Sequence, residues 1–284
     1  MKQQPIGVFD SGYGGLTVLK EITAKLPQYD YIYLGDNARS PYGPRSFETV
    51  YEYTLQSVKW LFSKGCNLVV LACNTASAKA LRTIQQHDLP AIDPHKRVLG
   101  VIRPTTEIIG RFSKTGHVGI LATHGTVISE SYPIEIHKFF PGIQVYQEAC
   151  PMWVPLVENN EYNSPGADYF IEKNIHNLLG KSGEIDTMLL ACTHYPLLLE
   201  RLKQVLDGAV TPVRVVGVDQ GRHVARGVQQ EPGQLHPAGQ AIECAVEREL
   251  RRDDAVGFTP VDRRGQFVVQ GAQLGEVGVG RIAR

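Results

Sequence analysis

The chain predicts an α/β fold: two similar open α/β domains with mainly parallel sheets, related by a pseudo-twofold axis. Three observations carry that expectation. Strand-like apolar runs alternate with helix-like segments, the pattern of a parallel sheet with helices on its faces. The series occurs twice. One short word is also repeated, Leu71-Ala72-Cys73-Asn74-Thr75 returning as Leu190-Ala191-Cys192-Thr193-His194. Each copy ends an apolar run, so each cysteine is expected just past a buried strand and before a helix, the edge at which open α/β sheets bind ligands. A length of 284 residues fits one large or two modest domains that bury most of their apolar surface without disulfides or metals.

In the first series, strands are predicted at Ile6–Phe9, Tyr31–Leu34 and Leu68–Ala72, with helices at about Leu16–Leu26, Ser46–Lys64 and Thr75–Gln86. The periodicity breaks around Leu89-Pro90-Ala91-Ile92-Asp93-Pro94, and a new series begins with Val98–Ile102. The expected division is therefore 1–97 with 211–284 as the first domain and 98–210 as the second. The second series runs through Val118–Leu121, Val127–Phe140, Ile143–Tyr146, Ala167–Leu179, Thr187–Ala191 and Leu197–Leu206. Its opening, Val118-Gly119-Ile120-Leu121-Ala122-Thr123, echoes Ile6-Gly7-Val8-Phe9-Asp10-Ser11. Cys73 stands 66 positions after Gly7 and Cys192 stands 73 after Gly119, similar separations that point to an internal duplication. Such symmetry brings both first-strand turns and both cysteines to one interdomain cleft, a preferred place for small-molecule sites. Beyond Val213–Val218 the composition shifts, with no Lys after Lys203 and no Tyr after Tyr195. A helix is expected at Gln240–Arg252 and a short strand near Gln266–Val269.

Composition removes several function classes. Lys+Arg and Asp+Glu are both 29, so the basic bias that nucleic-acid or anionic-membrane partners select is missing. Met1-Lys2-Gln3-Gln4-Pro5 runs straight into the first strand without an apolar stretch for a signal peptide or a membrane span, and a cytoplasmic location is expected. Five cysteines, at 66, 73, 150, 192 and 244, form an odd set with no Cys-x-x-Cys, which argues for free thiols over a disulfide framework or a cysteine-pair zinc site.

The turn Asp10-Ser11-Gly12-Tyr13-Gly14-Gly15 follows a strand and opens a helix, so its amides could hold a carboxylate or phosphate; alternatively Asp10 only caps the helix. It lacks the third glycine of a dinucleotide fingerprint and has no P-loop Lys. The loop Gly35-Asp36-Asn37-Ala38-Arg39-Ser40-Pro41-Tyr42-Gly43 reads either as an ordinary βα turn or as a substrate wall. A free cysteine is usually a small buried hydrophobe, but a thiol at a helix N-terminus is more acidic than its ordinary pKa of about 8.5, and a nearby carboxylate or imidazole can exchange its proton. Asp10 is the candidate partner of Cys73, and His194 that of Cys192; Cys66, Cys150 and Cys244 have no such echo. Cys192-x-His194 alone supplies two metal ligands where zinc needs three or four, and no G-x-S-x-G elbow supports a serine hydrolase.

Four ordered motifs over roughly residues 5 to 220 carry a family resemblance. Ile6-Gly7-Val8-Phe9-Asp10-Ser11-Gly12-x-Gly14-Gly15-Leu16, Asp36-x-Ala38-x-x-Pro41-Tyr42-Gly43, Ala72-Cys73-Asn74-Thr75-Ala76-Ser77-Ala78 and Cys192-Thr193-His194-Tyr195-Pro196-Leu197 resemble the glutamate racemases, within the cofactor-independent aspartate/glutamate racemase superfamily. The resemblance implies that Cys73 and Cys192 flank the α-carbon of glutamate, one thiolate removing the α-proton while the opposite thiol donates, without pyridoxal phosphate or metal. It implies that Asp10 and His194 tune the thiols. Ser11, Asn74, Thr75, Thr123 and Thr193, with Pro41, Tyr42 and Gly43 beside them, would line the substrate, and Glu158 matches a further family motif near the cleft. A homodimer and a supply of D-glutamate for peptidoglycan are implied as well. Alternatives left open are an aspartate or other amino-acid racemase, a non-catalytic amino-acid-binding protein, and a transferase or decarboxylase that uses one cysteine. Two departures stand out: the tail after about Gly221 does not resemble the family's usual ending, and the short N-terminus leaves no room for an extension that senses a peptidoglycan precursor.

Overall fold

Ile6-Gly7-Val8-Phe9-Asp10 is buried along its whole length, as a strand covered on both faces must be, and it begins the chain's first sheet. The computed structural model describes residues 4–207, 213–217, 245–246, 266–270 and 277–281, the last two segments by backbone alone. Its strands are β1 (Ile6–Asp10), β2 (Tyr31–Gly35), β3 (Leu68–Leu71), β4 (Arg97–Gly100), β5 (His117–Ala122), β6 (Gln144–Ala149), β7 (Thr187–Ala191), β8 (Arg214–Gly217), β9 (Gln266–Gln270) and β10 (Val277–Arg281). The first sheet has the order β10-β9-β2-β1-β3-β4 and the second β6-β5-β7-β8. All pairings are parallel except that of β10 with β9.

The helices are α1 (Gly15–Lys25), α2 (Phe47–Ser63), α3 (Asn74–Lys79), α4 (Leu81–Thr83), α5 (Leu89–Ile92), α6 (Ile102–Ile109), α7 (His124–Ile128), α8 (Ser131–Phe139), α9 (Trp153–Glu158), α10 (Pro165–Leu179) and α11 (Leu199–Leu206). Successive strand residues point to opposite faces. In the first sheet, Ile6, Val8, Tyr31, Tyr33, Leu68 and Val70 therefore pack with Val18, Leu19 and Ile22 of α1. The intervening Phe9, Leu34, Val69 and Leu71 pack with Val58, Leu61 and Phe62 of α2. In the second sheet, Leu121, Met188, Leu190 and Val215 pack with Ile171, Ile175 and Leu178 of α10 and with Leu202 of α11.

The chain divides into two units, Met1–Val101 with Ile242–Arg284, and Ile102–Ala241. Both divisions differ from those expected at 97/98 and 210/211. The physical reason is pairing: β4 bonds to β3 from Leu68↔Arg97 to Leu71↔Gly100, so the segment expected to open the second unit closes the first sheet instead. Likewise β8 bonds to β7 from Thr187↔Arg214, which keeps the second unit going past residue 210.

Two helical expectations also change. The chain stays helical through the expected break, because a π-turn over Ile84–Asp88 leads into α5, where Pro90 occupies a first-turn position that needs no N–H donor. The helix expected over Val127–Phe140 is two, α7 and α8. Between them Glu130 adopts φ 54°, and Ser129 Oγ accepts the Ser131 N–H at 3.3 Å, so α8 starts afresh two residues before Pro133. The helix expected at Gln240–Arg252 lies outside the described residues except for Ala245 and Val246, which are helical; Val246 is buried among Ile6, Val8 and Val18.

Candidate active site

In each unit the strand order reverses at its first strand: β2-β1-β3-β4 in one, β6-β5-β7-β8 in the other. The crevice at the carboxyl ends of the two central strands is the switch point where open sheets take ligands. The register is the same in both. Gly7 pairs with Val69, and Gly119 with Met188. Four residues further on, this register sets Ser11 level with Cys73 in the first unit and Thr123 level with Cys192 in the second.

In the first unit, β3 ends at Leu71 and Cys73 is the N-cap of α3, its sulfur accepting the Ala76 N–H at 3.5 Å. The thiol donates to Ser11 Oγ at 3.5 Å. Cys73 is 5% exposed, and Asn74 and Thr75 beside it are buried. Asp10 is fully buried at the end of β1 and accepts the Gly12 N–H at 3.0 Å. It does not cap α1, whose N-cap is Gly14. Instead it holds the turn against the sheet: a Cβ at Gly15 would collide with the Asp10 side chain and lie 2.9 Å from the Tyr33 hydroxyl. The loop from Asp36 to Ser46 closes over this edge. Ser40–Pro41 is a cis peptide, and Tyr42 is buried in the same apolar cluster as Cys73, while Pro41 and Gly43 are half-buried. The Tyr42 hydroxyl donates to Asp36 Oδ2 at 2.5 Å, and the same oxygen takes Arg39 Nε at 2.6 Å. Burial first, then the Asp36 carboxylate, pushes the Tyr42 hydroxyl well above its ordinary value, so it stays a donor.

In the second unit Cys192 follows β7 and is again 5% exposed. His194 Nδ1 lies 3.8 Å from its sulfur and 3.3 Å from Thr193 Oγ1, and His194 Nε2 meets Glu158 Oε1 at 2.5 Å. A carboxylate only accepts, so the bond with Glu158 uses the Nε2 proton and turns Nδ1 toward the thiol. The N-cap of α7, Thr123, accepts the Thr126 N–H at 3.3 Å. Tyr132 on α8 is fully buried, and its hydroxyl is pushed far above the ordinary value by burial and then by Cys192.

Cys66 and Cys150 differ in kind, and Cys244 lies outside the described residues. Burial pushes the Cys66 thiol up to about 12 and raises Cys150 well above its ordinary range, which keeps both protonated. Among the described residues no group of three or more His, Cys, Asp or Glu side chains could hold a metal ion, and no helix is long and apolar enough to cross a membrane.

Each residue singled out from the sequence thus stands at one of two switch points: Asp10, Ser11, Pro41, Tyr42, Gly43, Cys73, Asn74 and Thr75 at the first, Thr123, Glu158, Cys192, Thr193 and His194 at the second. The sequence reading missed Asp36 and Arg39 as partners of Tyr42, although both lie in the loop it marked. It also missed Tyr132, which sits in a helix with no motif of its own.

Comparison with known proteins agrees with this fold. Residues 7–218 match the Asp/Glu/Hydantoin racemase family. A glutamate racemase of Streptococcus agalactiae is 41% identical over 211 residues, covering 74% of this chain and 76% of the relative. A glutamate racemase isoform from Bacillus anthracis superposes with a TM-score of 0.75 at 31% identity, covering 95% of this chain and 90% of the other. A Francisella tularensis glutamate racemase in complex with D-glutamate gives a TM-score of 0.75 at 28% identity, covering 96% and 90%. The chain belongs to the Asp/Glu/Hydantoin racemase family and is an isomerase.

Proposed function

We propose that this enzyme interconverts L- and D-glutamate, with Cys73 and Cys192 as the acid and base at the α-carbon. One observation carries the reading: an identical register delivers a nearly buried thiol to the switch point of each unit, beside Ser11 in one and Thr123 in the other. Inverting a stereocentre by proton transfer needs a base on one face and an acid on the other. Two equivalent thiols exchange those roles between the two directions, so no cofactor is required. One thiolate takes the α-proton, the electron pair left behind spreads into the α-carboxylate, and the second thiol delivers its proton to the opposite face. The first sulfur ends protonated and the second ends as thiolate.

The α-proton is a far weaker acid than a thiol of pKa about 8.5, so donors must meet the charge as it develops. Ser11, Asn74, Thr75, Thr123 and Thr193 are buried polar groups suited to that task, with Pro41, Tyr42 and Gly43 forming a wall. Asp10 serves the Cys73 side. On the Cys192 side His194 Nδ1 takes and returns the thiol proton while Glu158 fixes the imidazole through Nε2. Glutamate is preferred over aspartate as substrate because the relatives that match over most of the chain carry that name. The same resemblance supports a cytoplasmic homodimer that supplies D-glutamate for peptidoglycan.

The test is the loss of optical rotation of L- and of D-glutamate in deuterated water, with aspartate and other amino acids in parallel. Both glutamate enantiomers are expected to racemise and to gain α-deuterium. A protein that binds glutamate but leaves its α-hydrogen in place would be a binding protein, and preferential turnover of aspartate would shift the substrate.

A further inference from the structure

Lys79 is the last residue of α3, the helix whose N-cap is Cys73, and it is only 3% exposed. A buried ammonium is unfavourable unless it is hydrogen-bonded. Its bond is specific: Nζ donates to the carbonyl of Arg45 at 2.7 Å. Arg45 in turn donates its N–H to the carbonyl of Tyr42 at 3.0 Å, closing the turn that carries the wall of the Cys73 site. At its other end the same wall is held by the Tyr42 hydroxyl on Asp36, whose carboxylate also takes Arg39. The wall is thus tied at two points, once to the sheet edge and once to the helix that presents the thiol.

We infer that Lys79 is a positioning residue of the Cys73 half-site, tying the Tyr42–Arg45 turn to α3 so that the wall stays at a fixed distance from the thiol. The inference rests on the reading of Cys73 as an acid/base group, but the tie itself makes a claim that activity is not needed to check. A loosened wall uncovers a sulfur that is now nearly inaccessible, and it recognises the substrate less well without altering the thiol that does the chemistry.

The experiment uses the full-length chain with Lys79→Met, which keeps the apolar stem, and Lys79→Gln, which keeps an N–H donor. Two readouts are taken: kinetics with each glutamate enantiomer, and the rate at which iodoacetamide alkylates the Cys73 peptide relative to the Cys192 peptide, followed by mass spectrometry. In Lys79→Met, KM is expected to rise roughly tenfold, the factor that corresponds to about 1.4 kcal/mol, with kcat much less affected. Cys73 is expected to alkylate several-fold faster while Cys192 keeps its wild-type rate, and Lys79→Gln should fall between Lys79→Met and wild type. Unchanged KM and unchanged Cys73 labelling would overturn the inference, and so would equal acceleration at both cysteines or failure of both variants to fold, since those outcomes mean that Lys79 serves general stability. If the wild-type protein racemises no amino acid, the functional reading fails, while the labelling contrast still decides whether the tie exists.

Discussion

The two thiols stand at equivalent points of equivalent sheets, yet their surroundings have diverged. Around Cys73 the partners are a hydroxyl, a backbone N–H and a loop wall secured by Asp36, Arg39 and Lys79. Around Cys192 the partner is an imidazole whose far nitrogen is held by a carboxylate, with a buried phenol close by. The scaffold repeats and the proton chemistry does not. Position is set by strand register, which tolerates little change because a slip of one residue would turn every side chain to the other face. Protonation partners come from the loops and helix starts after the strands, where substitution leaves the sheet intact. On the proposed two-thiol mechanism the two sulfurs need be equivalent in placement only, since each would serve as base in one direction and as acid in the other.

The largest effect should come from removing either sulfur. Cys73→Ala and Cys192→Ala are each expected to lower kcat for racemisation by at least about a thousandfold, because no other group supplies the missing proton transfer. Solvent exchange of the α-proton separates the two half-sites: each variant should still exchange the enantiomer whose proton faces the remaining sulfur, and the two variants should retain opposite enantiomers. Retention of the same enantiomer by both would break the comparison, because both deprotonations would then belong to one side. Full racemisation in either variant would break the two-thiol reading itself.

A smaller effect probes the difference between the half-sites. His194→Gln removes the ring that faces Cys192, and kcat/KM should drop by roughly a hundredfold, the lower end of what a general base contributes. Enantiomers have equal free energy, so kcat/KM must fall equally in both directions whatever is substituted. The asymmetry can appear only in kcat and KM taken separately and in exchange, where the enantiomer deprotonated by Cys192 should lose far more of its α-proton wash-out than the other. Equal loss of exchange from both enantiomers would mean that His194 supports the substrate pocket as a whole and not one thiol.

Much of this arrangement was legible in the residues. The strands were, because a parallel strand buried on both faces is written as a continuous apolar run, as in Leu68–Leu71 and Thr187–Ala191. The two switch points were, because the repeated word ends those runs. The helices α6 and α9 were not expected; Pro104 and Pro155 each stand two residues after the helix start, where a missing N–H breaks no bond. The expected domain division failed at β4, since Pro90 and Pro94 look like a boundary while the chain remains helical through Ile92. The bond between His194 and Glu158 spans 36 positions and has no local signature, although both residues fall in motifs. Lys79 was invisible: a lysine in a helical run reads as solvated, and only the fold shows it buried.

The smallest effect tests how far the comparison of the two units extends beyond the site. At the entrance to each third strand, an equivalent backbone bond joins the neighbouring strand, Arg97 N–H to Asn67 in the first unit and Arg214 N–H to Asp186 in the second. Asp186 adds what Asn67 cannot, a carboxylate that accepts Ser113 Oγ and the Lys114 N–H at 2.6 Å each, and the Thr115 N–H and Thr187 Oγ1 at 3.0 Å each. Partial burial works against the charge, but these donors outweigh it and hold the carboxyl below the ordinary aspartate value. The sign follows from linkage: a depressed folded-state pKa gives stability that is fully present above the unfolded value near 3.9 and disappears as pH falls through the lower folded value. Asp186→Asn, which makes the second unit resemble the first, should therefore destabilise the fold by about 1 kcal/mol at neutral pH, the solvent-exposed side of the carboxylate keeping the figure small. In denaturant titrations at a series of pH values, the gap between wild type and variant should narrow below about pH 4. A gap that stays constant with pH would assign the loss to the geometry of the hydrogen bonds, in which case the charge at Asp186 is not what distinguishes the two units.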